Sequence, residues 1–412
     1  MNRTRTALTL FFLLLAFASS HAGAGQHSGI RALYGGPSAL ETCVIMADHR
    51  PYCWGQTPAP LPAVGGDVTA LALGQSFRCA LTMTGKVLCW GNNGSGQLGD
   101  GTFTGRDTPQ PVQYSGADMT RVTAVSAGTS HVCALRDGAA WCWGDNATFQ
   151  IGNYSLPSGS DAALPMPVLV HGSTSSPPLA NLIYLGAGSF HTCALLADKT
   201  GACWGNGHEG ELGNNIFLAN QNSPQTVWVD SGGLQPLVMG GERIQSGGYS
   251  TCALVSDINV NSVACWGLNN EGQLGTGNTF DRATAVPAQD ERGKITDATT
   301  VAVGRFFACA TVADSTVRCW GSDASFQLGT GAAGSDQLKG TKILMPSGAP
   351  LTGAVQVVAG ALHVCALTFK DEVYCWGDNT YGQVGGGFGQ KVDVPTRMAI
   401  DAPMFTENFD AN

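Results

Sequence analysis

The chain has 412 residues, of which 43% are hydrophobic, 12% are charged and 56 are glycine. That balance excludes intrinsic disorder, which needs low hydrophobicity and high charge, and a coiled coil or long helical bundle, which needs abundant Ala, Glu, Lys, Leu and Arg. A formal net charge of −9 with no basic run excludes nucleic acid as a general partner.

In chain order, the first element is a leader. Arg3 and Arg5 form a basic start, Leu8 to Ala18 is apolar, and Ser20-His21-Ala22 has the small-x-small form of a signal-peptidase site, with Ala22-Gly23-Ala24 as a second option. Residues 1–22 therefore read as a secretory signal peptide, because a membrane span needs about 20 apolar residues. No later stretch reaches that length, so the mature protein is expected to be exported and to have no membrane span. Its charge would be −11, from 19 basic against 30 acidic residues.

Residues 23–400 are organised by their 14 cysteines. These fall in pairs: Cys43 and Cys53, Cys79 and Cys89, Cys133 and Cys142, Cys193 and Cys203, Cys252 and Cys265, Cys309 and Cys319, and Cys365 and Cys375. Trp-Gly follows the second member each time, at Trp54, Trp90, Trp143, Trp204, Trp266, Trp320 and Trp376. Self-similarity at this period signals a repeat architecture. Residues 122–170 show a full unit. Val122 to Gly128 reads as one strand and His131 to Leu135 as a second. Asp137-Gly138 is a type I′ hairpin signal, Ala140 to Gly144 is a third strand, and Pro165 to Val170 is an edge-like fourth. Four strands per unit, repeated seven times around a ring, describe an all-β, seven-bladed β-propeller.

Pair spacing supports a disulfide in every hairpin. Around Thr84 a three-residue loop, Met83-Thr84-Gly85, sets Cys79 opposite Cys89, and the two-residue Asp137-Gly138 loop absorbs the shorter spacing of Cys133 and Cys142. Opposed residues of a non-hydrogen-bonded pair lie about 4.5–5.5 Å apart at Cα, which a disulfide can span. Metal binding is the alternative for paired cysteines, but zinc sites use much shorter spacings.

The repeats resemble those of the regulator-of-chromosome-condensation family of seven-bladed propellers. The pattern Gly-x-x-His-x-Cys-Ala-Leu stands at Gly128 to Leu135, Gly188 to Leu195 and Gly360 to Leu367. Its continuation, Cys-Trp-Gly-x-Asn-x-x-Gly-Gln-Leu-Gly, stands at Cys89 to Gly99, Cys265 to Gly275 and, with Val384 for Leu, Cys375 to Gly385. The first unit departs from it, since Gly55 runs into Gln56-Thr-Pro-Ala-Pro60. The resemblance implies the fold over nearly the whole mature chain. Among the family's functions, those of its exported, acidic members, including secreted inhibitors of β-lactamase, are the closer analogy.

Catalytic signals are sparse. His131, His191 and His363 share one repeat position on separate blades and read as structural. So does the repeated Gln97, Gln150, Gln273, Gln327 and Gln383, with Glu211 at the sixth site, whose side chains are expected to bond nearby backbone. His208-Glu209-Gly-Glu211 lacks the histidine pair of a zinc protease, and no phosphate loop or nucleophile elbow occurs. No cofactor, metal or catalytic residue is expected. Asn93, Asn146 and Asn153 sit in glycosylation sequons. Phe103, Phe217, Phe280 and Phe388 each follow the Gly-Gln-Leu-Gly turn. Either they line one face as a binding ring or they plug the seams between blades. Two long inserts, 153–181 and 214–242, carry Tyr154 and Trp228 and complete the candidate partner-binding set. The acidic tail 401–412 lacks the repeat. Ring closure has two solutions, because Pro395 to Ile400 can be the outer strand of the last blade or can pair beside Ile30 to Tyr34. The functional expectation is a monomeric, exported, non-enzymatic scaffold for a protein partner, with inhibition of a secreted enzyme as one form of it. The alternatives are a propeller that binds or acts on glycans, and an enzyme with its site in the central channel.

Overall fold

A computed structural model describes residues 29–56, 64, 67–170, 178–230, 233–257, 260–331, 334–385, 389–398 and 400. The leader, the tail and Phe388 lie outside the described residues. Each cysteine hairpin forms the middle of an antiparallel sheet. In the third blade the strands run Val122–Ala127, His131–Arg136, Ala139–Gly144 and Ala162–Pro167, from the inner strand to the outer. The outer strand starts three residues earlier than its sequence signal at Pro165, and Pro165 and Pro167 are tolerated because it is an edge. The other inner strands are Ile30–Tyr34, Val68–Leu73, Leu182–Ala187, Met239–Ser246, Ala298–Val303 and Ala354–Ala359. Together the seven sheets make a seven-bladed propeller. Blade 1 has three strands among the described residues. Small hairpins at 228–236 and 289–294 extend the sheets of blades 5 and 6 outward through the parallel pairs Val229 with Ala285 and Asp290 with Gly340.

Turn chemistry sets the hairpins. Asp137 and Gly138 have φ of 52° and 74°, as a type I′ turn requires, and Gly85 closes the three-residue loop at φ 73°. Cys79 therefore pairs with Cys89 and Cys133 with Cys142 in register. The same register recurs in the other five blades, where Cys43 faces Cys53, Cys193 faces Cys203, Cys252 faces Cys265, Cys309 faces Cys319 and Cys365 faces Cys375. All seven pairs form disulfides as expected. Their Cα separations of 4.0–4.1 Å fall slightly below the expected range.

The glycine in Gly-x-x-His has a steric cause. A Cβ at Gly128, Gly188 or Gly360 would lie within 2.5 Å of the following histidine ring, and one at Gly74 or Gly304 would meet Phe77 or Phe307 in the same way. The ring folds back over the glycine and points its far edge across the seam.

There the histidines meet partners on the next blade. His131 Nε2 lies 2.9 Å from Thr192 Oγ1, His191 Nε2 2.8 Å from Thr251 Oγ1, and His363 Nε2 2.7 Å from Thr42 Oγ1. The residue one place on in the next blade is matched at other seams too. Phe77 shares a core cluster with Val132, and Phe307 with Val364. At the first seam the same two positions hold a buried ion pair, in which the Arg78 guanidinium donates to both carboxylate oxygens of Glu41. At these seams apolar residues face apolar ones and polar residues face polar ones; the seam after blade 5 departs from this, with the Ser250 hydroxyl buried without a partner beside the Ala308 position.

A second clasp spans most seams. The indole N–H of Trp143, Trp204, Trp266, Trp320 and Trp376 donates at 2.8–3.0 Å to the backbone carbonyl of Gln97, Gln150, Glu211, Gln273 and Gln327 on the preceding blade. Trp54 does the same to Gln383, at 2.9 Å, which joins blade 1 to blade 7. Val392–Arg397 pairs with Val373–Gly377 as the outer strand of blade 7, and among the described residues no strand is shared between blades 7 and 1. Gln356 completes the joint by bonding both the N–H and the C=O of Leu33, at 3.0 and 2.8 Å.

Candidate functional site: one propeller face and the channel

The propeller has two unlike faces. One carries the turns between first and second strands and the long loops between third and fourth strands. The other carries the cysteine-hairpin tips and the crossings between blades.

On the first face the Gly-Gln-Leu-Gly loops are braced from within. The Gln97 side-chain oxygen accepts the N–H of Ser95 at 2.8 Å, and Gln150, Gln273, Gln327 and Gln383 repeat the bond. Asn93 Oδ1 accepts the Leu98 N–H, while its Nδ2 donates to the Thr102 and Thr104 carbonyls. The repeated amides are therefore loop braces. The same bonds correct the reading of the sequons. Asn93, Asn146 and Asn153 are buried with their amide nitrogens turned inward as donors, so the folded chain offers none of them to a glycosyltransferase.

Because the loops brace themselves, their apolar tips point outward. Phe103 is 55% exposed, Phe217 46% and Phe280 67%, so these side chains do not plug seams. Ile216 and Leu218, which the sequence reading passed over, flank Phe217 and are exposed as well. Nearer the axis, the first turns of blades 4, 5 and 6 bring Phe190, Tyr249 and Phe306 into a row. Ring centroids are 5.9 and 5.7 Å apart, and Tyr249 stacks on Phe306 at 15°. The Arg305 guanidinium lies 5.3 Å from the Phe306 ring centre. This row went unnoticed because its members recur at a repeat position held by Ser76 and Ser130 elsewhere.

The proposed partner-binding residues do not all gather there. Tyr154 is half-buried in the blade 3 loop of the same face. Trp228 is half-buried on the opposite face, in the crossing from blade 4 to blade 5. Each insert spans an outer strand, Ala162–Pro167 or Gln221–Thr226, and so divides between the faces instead of forming one loop.

The axial channel encloses about 570 Å³ between the inner strands. Arg31, Arg243, Tyr34, Tyr184 and Gln245 line it, and no Asp, Glu or His does among the described residues. Burial pushes the Tyr34 phenol up to about 12, against the opposing pull of the Arg31 and Arg243 charges. Burial also raises Tyr184, while Arg243 and a 2.6 Å bond from the Gln245 amide work the other way.

Burial also dominates the titration of the seam histidines and of Glu211. It pushes His131 and His191 down to about 3 and His363 to about 4. It raises Glu211 to about 7. Among the described residues no three His, Cys, Asp or Glu side chains converge as a metal site. His208 is exposed while Glu211 is buried in its loop, so the tight His/acid cluster does not assemble. No helix of the described residues is long and apolar enough to cross a membrane.

Comparison with known proteins agrees with the geometry. The sequence matches the RCC1-like domain over residues 48–409. The chain belongs to the RCC1-like domain family. The human E3 ubiquitin-protein ligase HERC2 is 28% identical over 330 residues, which is 78% of this chain but 6% of the ligase. The Arabidopsis thaliana ultraviolet-B receptor UVR8 is 27% identical over 326 residues, 78% of this chain and 67% of the receptor. Among solved structures, human WBSCR16 superposes with a TM-score of 0.66 at 20% identity, covering 84% of this chain and 85% of that one. Yeast RCC1 (Prp20), solved with Kap60 bound, gives 0.63 at 20% identity and covers 94% and 91%. These likenesses show the fold.

Proposed function

We propose that this RCC1-like propeller is an exported, non-enzymatic scaffold that holds a protein partner on the face bearing Phe103, Phe217 and Phe280. One observation carries the reading: five large apolar side chains, counting Ile216 and Leu218, stand exposed on self-braced loops of one face. Rigid loops that present aromatic side chains lose little entropy on binding, and aromatic anchors dominate interface energetics. The structure of Kap60 bound to yeast RCC1 shows a relative of this fold in a protein complex. The leader-like start and seven disulfides support export. A secreted enzyme held on this face would be inhibited wherever the propeller covers its active site.

The test is capture of partners from culture or host extract by wild type, by the double variant F217A/F280A, and by W228A. The reading expects loss of capture in the double variant and retention in W228A, which changes the opposite face. Retention in the double variant with loss in W228A would move the interface to the other face and refute it. A second reading, glycan binding, rests on the Phe190–Tyr249–Phe306 row, whose ring faces suit sugar stacking. Clear glycan-array signals with no captured protein would favour it.

A further inference from the structure

We propose that the central channel is a binding site for a small oxyanion, a phosphate or carboxylate group held by Arg243 together with Arg31 and the Tyr184 hydroxyl. The chain itself is acidic, yet the channel lining carries two guanidiniums and no carboxylate among the described residues. Most of the other described arginines are paired with a carboxylate, though not Arg282 and Arg305. Eight other arginines, Arg78 and Arg318 among them, have a carboxylate oxygen within 4.0 Å. Arg31 instead donates to the half-buried His49 imidazole at 3.2 Å, which leaves its charge unneutralised.

Arg243 is set there by a local departure from the repeat. In blade 2 the inner strand carries one extra residue, between Val68 and Ala70, against its neighbour. In blade 5 the register jumps from Met239 to Ile244 while the partner strand moves only from Val255 to Ala253, so the bulge holds three extra residues. Ile244 pairs with Ala253 as Leu71 pairs with Ala80, which puts Arg243 at the level of Ala70. Blades 1 and 3 have Ala32 and Ala124 at that level. The alanines leave open volume opposite the guanidinium, and bulges often re-aim a side chain beside a functional site.

The donors suit an oxyanion. The Tyr184 oxygen accepts from the Gln245 amide at 2.6 Å, so its own O–H is left to donate into the channel. Arginine offers a planar fork that matches carboxylate and phosphate oxygens. The cavity of about 570 Å³ falls in the range of small-molecule sites.

Titration calorimetry of the disulfide-intact protein with inorganic phosphate and, separately, with succinate at low ionic strength tests the proposal. Saturable binding of one ion per chain is expected. It should weaken as salt is added, weaken at least tenfold in R243Q and severalfold in Y184F, and be unchanged in M83A, a change at an exposed hairpin tip. Binding of phosphate alone assigns the source as a phosphate, binding of succinate alone as a carboxylate, and binding of both supports the shared chemistry. Absence of saturable binding of either ion overturns the proposal, as does affinity unchanged in R243Q. Should R243Q not fold, unchanged affinity in Y184F and R31Q overturns it equally.

Discussion

Glu211 provides a sharp test of how the loops are held. Five other blades have Gln at this place. Gln150 and Gln383 donate their amide N–H to Asp145 and Asp378, at 2.7 and 2.8 Å. Blade 4 inverts the pair, with Asn206 Nδ2 donating to Glu211 Oε1 at 2.6 Å, while Oε2 accepts the Glu209 N–H at 2.8 Å. Burial makes the charged form costly and raises the carboxyl from 4.5 to about 7. A raised acid binds more protons when folded than when unfolded, so its contribution is fully present below pH 4.5 and is lost as pH rises through 7. The shift corresponds to a penalty on the order of 3 kcal/mol above pH 7. E211Q removes the ionisation. Asn206 then turns its amide so that its oxygen faces the new Gln. E211Q should match wild type near pH 4.5 and exceed it by up to about 3 kcal/mol at pH 8. The assay is equilibrium denaturant unfolding with disulfides intact, followed by tryptophan fluorescence at several pH values. The buried histidines, whose depressed values cost stability as pH falls below 6.5, act equally in both proteins and cancel in the difference. A difference that does not change with pH, or a variant less stable at pH 8, would refute the reasoning.

The seams and staples give three more expectations. T192V leaves His131 Nε2 buried without its partner and should cost about 1–3 kcal/mol in denaturant unfolding, while H131F/T192V, which copies the Phe77–Val132 seam, should recover most of the loss. R78A leaves the Glu41 carboxylate buried and unpaired and should cost about 3–5 kcal/mol by the same assay, whereas the matched change E41F/R78V should be far milder. Peptide mass mapping without reduction should find seven cystine pairs and no free thiol; each pair contributes at most about 2–3 kcal/mol, so reducing all of them should lower the midpoint of thermal unfolding well beyond any single Cys→Ser pair.

Much of this fold was legible because the repeat states it seven times. Cysteine spacing gave the hairpin register, and the turn residues Asp137-Gly138 and Gly85 gave the loop types. The histidines were recognisable as structural, but not their partners, since Thr192 lies 61 residues beyond His131 and only ring geometry brings them together. The Gly-x-x-His glycine had no visible cause in sequence, because it answers to the ring of the same motif folding back. The exposed phenylalanines were ambiguous for a physical reason: whether a loop aromatic turns inward depends on whether the loop already satisfies itself, and here the Asn and Gln braces do so. Arg243 was missed because Gly240-Gly241 breaks the alternation that marks an inner strand. The sequons misled because the asparagine in each is also the amide that the loop requires.

The features that differ between blades are concentrated in one sector. Most seams use the same few things: a ring over a glycine, a neighbour facing it, and an indole on a carbonyl. At six seams the partners vary as pairs, because an unmatched polar group there is buried without a bond, as the small Ser250 hydroxyl is at the seventh. At the first seam, where no Gly-Gln-Leu-Gly turn precedes Trp90, an ion pair occupies the matched positions instead. The outward tips and the axial positions carry no such constraint. Blades 4 to 6 hold the aromatic row, blades 4 and 5 the most exposed loop tips, and blade 5 the bulge that carries Arg243. In a ring of near-identical units, a patch confined to neighbouring blades is not explained by folding, since the other blades fold without it. That asymmetry is the physical reason to look for binding in this sector and along the channel beside it.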